Sequence, residues 1–151
     1  AQQGNPDRYK FPDTEMPELD FSFSGIKTAF LYFIRDGKAA DPGFVDKNLT
    51  DICASIQKKI VGMLIDRLEQ AALRSGIQEV AIAGGVSANS GLRKTLAEKA
   101  VKNGWNIFLP DFQYCTDNAA MIAMAAHFKY MKKDFAEMSV APLPNLQMNQ
   151  S

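Results

Sequence analysis

The run Glu79-Val80-Ala81-Ile82-Ala83-Gly84-Gly85-Val86-Ser87-Ala88-Asn89 constrains the fold of this chain more than any other stretch. A short apolar strand leads into two glycines, and a helix-start signal follows at once. Glycine lets backbone N–H groups and a flat ligand approach each other closely. A helix N-terminus behind the turn offers free donors and the positive end of a dipole to an anion. The combination has the layout of a nucleotide-site floor. By itself, a glycine pair after a strand more commonly marks only a tight turn.

The flanking residues predict an α/β arrangement. Residues 1–20 carry Pro, Gly, Asp and Glu without a helical period and read as loop. Phe21-Ser22-Phe23-Ser24-Gly25 alternates as a short strand or turn would. Ile26, Phe30, Leu31, Phe33 and Ile34 give a helix with one buried stripe, stopped by Asp36-Gly37, and residues 36–44 then read as a mobile connection. The longest helix starts at Val45 or Thr50 and ends at Ser75, with Gly76 as its stop. Ile52, Ile56, Ile60, Met63, Leu64 and Leu68 are its expected core face, and Gly62 is a point where another helix could pack close. A strand over 78–83, a helix over 90–103 stopped by Gly104, a strand over 106–109 ended by Pro110 and a helix over 117–133 complete the order. Strands separated by helices imply crossovers and at least one parallel pair. The tail from Ala136 to Ser151, with Pro142 and Pro144, reads as a surface strap or as unstructured.

At 151 residues the chain suits one domain. Its 17 basic and 17 acidic residues cancel, so any RNA contact is local or shared with another chain. Cys53 and Cys115 are too few and too distant for a disulfide scaffold, which points to a reduced, cytoplasmic protein. Neither a membrane-length apolar run nor a signal peptide is visible. The start at Ala1, without an initiator Met, suggests a fragment or a processed product.

Ligands of open α/β sheets bind at the C-terminal strand ends. The loops after the two strands share that edge, so Gly84, Gly85 and Asn89 are expected near Asp117. Asn89 suits a helix cap that also bonds a ligand. Asp117 is expected to cap the last helix, and one carboxylate does not make a metal site. The one histidine, His127, lies within a helix and reads as a surface or packed residue. There is no His-x-x-x-His pair, supported Cys–His couple or phosphate loop of the P-loop kind. Lys58-Lys59, Arg93-Lys94, Lys99, Lys102, Lys129, Lys132 and Lys133 read mainly as solvated helix faces.

Three motifs in series carry a resemblance: Phe21-Ser22-Phe23-Ser24-Gly25-Ile26-Lys27-Thr28, Ala83-Gly84-Gly85-Val86-Ser87-Ala88-Asn89, and Tyr114-Cys115-Thr116-Asp117-Asn118-Ala119-Ala120-Met121-Ile122-Ala123. Together they resemble the TsaD family, the tRNA adenosine threonylcarbamoyltransferases once described as O-sialoglycoprotein endopeptidases. The resemblance implies an actin-like/Hsp70-like ATPase (ASKHA) fold. Residues 1–135 would form its C-terminal lobe, a partly parallel sheet flanked by helices, and 136–151 a tail. It implies transfer of threonylcarbamoyl from threonylcarbamoyl-AMP to N6 of the adenosine beside the tRNA anticodon. Gly84 and Gly85 would border the adenylate, or ATP/ADP as nucleotide ligand, Asn89 would bind it, and Asp117 would ligate an iron or zinc ion. The family's other metal ligands, a His-x-x-x-His pair, have no counterpart here, nor do an upstream aspartate and glycine. An isolated half cleft is then expected neither to hold metal tightly nor to turn over, with self-association open to it. The implied partners are tRNA, a paralogous subunit and an ATPase subunit. Two other readings are an ATP-binding lobe of an actin-like sugar or acetate kinase, and a metalloprotease. The first lacks residues for acceptor chemistry, and the second lacks His-Glu-x-x-His.

Overall fold

The computed structural model describes residues 1–13 and 16–142. The chain is α/β, in the order α1 (Phe23–Ala40), α2 (Phe44–Ser75), β1 (Glu79–Ala81), α3 (Ser90–Asn103), β2 (Asn106–Phe108) and α4 (Ala119–Met131). Short 3-10 helices, Gly85–Ala88 and Phe112–Tyr114, lie in the loops after β1 and β2. Among the described residues no helix is long and apolar enough to cross a membrane.

Two of the helix stops predicted from glycine hold. Gly76 and Gly104 close α2 and α3 in the left-handed region, at φ 70 and 68, where glycine carries no Cβ penalty. Asn89 opens α3, its side chain accepting from the Leu92 amide at 2.9 Å.

Other expectations are corrected. Phe21–Gly25 forms no strand; Ser22 Oγ accepts from the Gly25 amide at 3.4 Å and caps α1. Asp36-Gly37 does not stop α1. A β-carbon on Gly37 would lie 2.3 Å from Phe44 Cδ1, so this glycine admits the Phe44 ring, and the connection shrinks to Asp41–Gly43. A β-carbon on Gly62 would meet nothing within 4 Å, so no helix of the described residues packs there. Asp117 is not the cap of the last helix. Asn118 is, with its Oδ1 accepting from the Met121 amide at 2.9 Å.

The buried residues of α2 are Ile52, Ala54, Ser55, Val61 and Ile65. Ile56, Ile60, Met63 and Leu64 are only partly buried, and Leu68 packs at the margin of the core. No single stripe describes α2 because its two ends serve different partners. Its first half receives the N-terminal segment: Asp51 accepts from the Asn5 amide and from Arg8, both at 2.7 Å, and Ser55 Oγ accepts from the Tyr9 amide. Tyr9 meets Phe33 edge-on at 5.0 Å and Phe33 meets Phe44 at 5.5 Å, tying that segment to α1 and α2. The second half faces the sheet, where Val61, Ile65, Val80, Leu92 and Leu96 form the core.

The two strands are parallel, in register Glu79–Asn106, Val80–Ile107 and Ala81–Phe108. Val80 and Ile107 turn toward the core, whereas Phe108 on the opposite face is 57% exposed. Parallel sheets ordinarily have both faces covered. Here the flanking helices cover one, because α4 buries none of its residues. Residues 136–142 are exposed and irregular, and the remainder of the expected tail lies outside the described residues.

Candidate functional site

Because β1 and β2 are parallel, their C-terminal ends deliver the Ile82–Asn89 and Leu109–Asn118 loops to one edge, as expected from the order of elements. Gly84 sits at φ 79, ψ 172, a region that is essentially glycine-only. Ser87 closes the turn: its amide and hydroxyl both donate to the Gly84 carbonyl, at 2.9 and 2.7 Å. Gly85 has ordinary φ, and an added β-carbon would meet only Thr116 Cγ2, at 4.0 Å. Among the described residues, nothing in the packing demands glycine at 85. The helix behind the turn is first the 3-10 helix and only then α3. The amides nearest the glycines are therefore those of Gly85 and Val86, which open the 3-10 helix and have no acceptor within it.

The second loop meets the first at Thr116, with Asp117 next in the chain. Gly84, Gly85 and Asp117 are all exposed. Asn89 is half-buried and committed to structure: its Oδ1 caps α3 and its Nδ2 donates to Gln57 on α2 at 3.3 Å. Gln57 Nε2 also lies 2.7 Å from where a β-carbon on Gly91 would sit. Beside the turn runs an apolar groove of about 440 Å³, lined by Phe21, Leu64, Leu68, Ile82 and Val86 among others.

Among the described residues no three His, Cys, Asp or Glu side chains stand close enough to hold a metal ion. Asp117 offers a single carboxylate, and His127 lies exposed on α4 against Phe128. This donor set does not fit a bound iron or zinc ion, which needs several ligands.

Sequence reasoning missed Arg93, which is not a solvated residue. From α3 its Nε donates to the Ser87 carbonyl at 2.6 Å, and its Nη2 to the Pro110 carbonyl at 2.5 Å and to Cys115 Sγ at 3.3 Å. The guanidinium also lies 4.4 Å from the Phe112 ring centroid. The acceptors are 6, 17 and 22 residues away in the chain, so no local pattern announces them. Several lysines are likewise engaged: Lys58 with Asp7, Lys59 with Asp13, Lys99 with Glu69 and Lys129 with Asp134.

Residues 1–124 match the family model TsaD, tRNA N6-adenosine threonylcarbamoyltransferase. Relatives bearing that name include a Cytophaga hutchinsonii protein, 51% identical over 98% of this chain and 43% of its own length. A Christiangramia forsetii protein is 57% identical over 93% of this chain and 41% of its own length. One from Riemerella anatipestifer is 48% identical over 99% of this chain and 44% of its own length. The chain thus spans less than half the length of these relatives, and over that span it belongs to the TsaD family.

Proposed function

We propose that this chain forms one wall of the adenylate cleft of a tRNA threonylcarbamoyltransferase. The observation that carries this is the meeting of the two strand-end loops at Gly85 and Thr116, in a chain whose relatives bear that enzyme's name. In this reading the chain is a lobe of an actin-like ATPase fold, and the acceptor is a tRNA, which makes the setting cytoplasmic. The partner subunits are those the resemblance implies. The kinase and protease alternatives have no such support, since the relatives' shared name describes neither.

The reaction joins N6 of an adenosine to the carbamoyl carbon of threonylcarbamoyl-AMP. A C–N bond forms, the bond from that carbon to the phosphate oxygen breaks, AMP leaves with the electron pair, and N6 gives up a proton. In this chain, Gly84 holds the turn in its glycine-only conformation and Gly85 leaves the space above the turn free. The Gly85 and Val86 amides present donors to a phosphate. The neighbouring groove offers an apolar surface to a base. Asn89 holds the start of α3 in place and keeps a second amide hydrogen for a ligand. Asp117 supplies one acidic donor at the rim, and a metal site would draw its other ligands from beyond these residues.

The test is transfer of labelled threonylcarbamoyl to tRNA by the protein at its relatives' full length. Loss of transfer in Asp117→Ala with adenylate binding kept supports the assignment of Asp117. Normal transfer by that variant removes Asp117 from the site.

A further inference from the structure

We propose that Arg93 is the positioning residue of this site, a single guanidinium that sets the separation between the glycine turn and the Thr116–Asp117 segment. Its relevance to the adenylate rests on the function proposed above, whereas the clamp itself rests on geometry alone.

Arg93 leaves α3 between the loops and bonds both. On one side it binds the carbonyl of Ser87, the residue whose amide and hydroxyl close the turn on Gly84. On the other it binds the Pro110 carbonyl, at the entry of the second loop, and Cys115 Sγ, one residue before Thr116. The Phe112 ring covers the guanidinium, a cation–π arrangement that limits its movement. A planar fork with five donors can serve acceptors on two loops at once. An ammonium on a flexible stem is a point charge with no such fixed geometry. The bonds at 2.6 and 2.5 Å are both short, as charge-assisted contacts are. Cys115 is 2% exposed behind the clamp, so its thiol reports whether the second loop is seated.

Two readouts test this in the protein at its relatives' full length: alkylation of Cys115, followed by peptide mass, and titration with threonylcarbamoyl-AMP. In Arg93→Ala the expected result is alkylation at least about tenfold faster and adenylate binding at least about tenfold weaker. Arg93→Lys should restore neither fully. Added guanidinium ion at non-denaturing concentration should restore both, and sodium chloride at equal ionic strength should not. A merely structural arginine gives the opposite response, because guanidinium weakens a destabilised fold further.

Unchanged Cys115 alkylation in Arg93→Ala, or guanidinium that only worsens it, overturns the clamp. If alkylation responds as expected but the adenylate binds Arg93→Ala as well as the unmodified protein, the clamp exists and its positioning role is overturned. If the unmodified protein binds no adenylate while alkylation responds, the proposed function fails and the clamp stands.

Discussion

Gly85 faces Thr116 across the junction of the two strand-end loops, and a β-carbon on Gly85 would sit 4.0 Å from Thr116 Cγ2, in ordinary contact. Gly84 beside it has the same open surroundings but a backbone conformation that a side chain strains. Two adjacent glycines therefore exist for different reasons. One is required by the turn, and the other leaves space that the described residues do not fill.

That contrast is measurable by unfolding. Gly84→Ala should cost about 1–3 kcal/mol, the cost of a side chain in a sparsely populated backbone region. Gly85→Ala should be neutral, or stabilising by up to about 1 kcal/mol through the unfolded chain. Equal destabilisation by both substitutions contradicts the distinction.

Metal analysis of this chain should find no stoichiometric, tightly held iron or zinc after dialysis. The described residues offer no cluster of three donors, and isolated carboxylates hold such ions weakly. Tight binding at one ion per chain would contradict this account of Asp117.

Acid should loosen the packing of α3 and of the N-terminal segment on α2. Lys99 and Asn103 hold Glu69 below the usual glutamate range, and the Asn5 amide and Arg8 do the same for Asp51. A carboxylate whose value is lowered in the folded state adds stability above its unfolded value, and that stability is lost as pH falls through the folded one. Thermal midpoints should hold steady near neutrality and fall between about pH 5 and pH 3. Glu69→Gln should flatten part of that fall. An unchanged acid slope in the variant would remove Glu69 from the explanation.

The isolated chain should self-associate through α4, which exposes Met121, Ile122, Met124, Phe128, Tyr130 and Met131. Contiguous apolar surface of this kind is rare on stable monomers. Ile122→Glu combined with Phe128→Glu should shift sedimentation toward the monomer. Identical sedimentation of the two forms would place any association elsewhere.

Much of the fold was legible wherever a local signal acts locally. Asn89, Gly76 and Gly104 mark helix ends through caps and left-handed turns within a few residues of themselves. The order of strands and helices similarly implied the parallel pair. The misreadings arose where the outcome depends on packing and loop path, which spacing alone does not give. Gly37 looked like a stop until Phe44 was placed against it. Asp117 and Asn118 are both of residue types that cap helices, and it is Asn118 whose side chain accepts from the Met121 amide. The role of Arg93 depends on acceptors from two loops, which no spacing in α3 reveals.

Whether the glycine turn walls an adenylate site is tested by the affinity of the protein, at its relatives' full length, for threonylcarbamoyl-AMP before and after Gly85→Val. A valine there fills the space above the turn. Binding should weaken by at least about tenfold with the thermal midpoint preserved. Unchanged affinity would show that the Gly84-Gly85 turn is a structural feature and not the wall of an adenylate site.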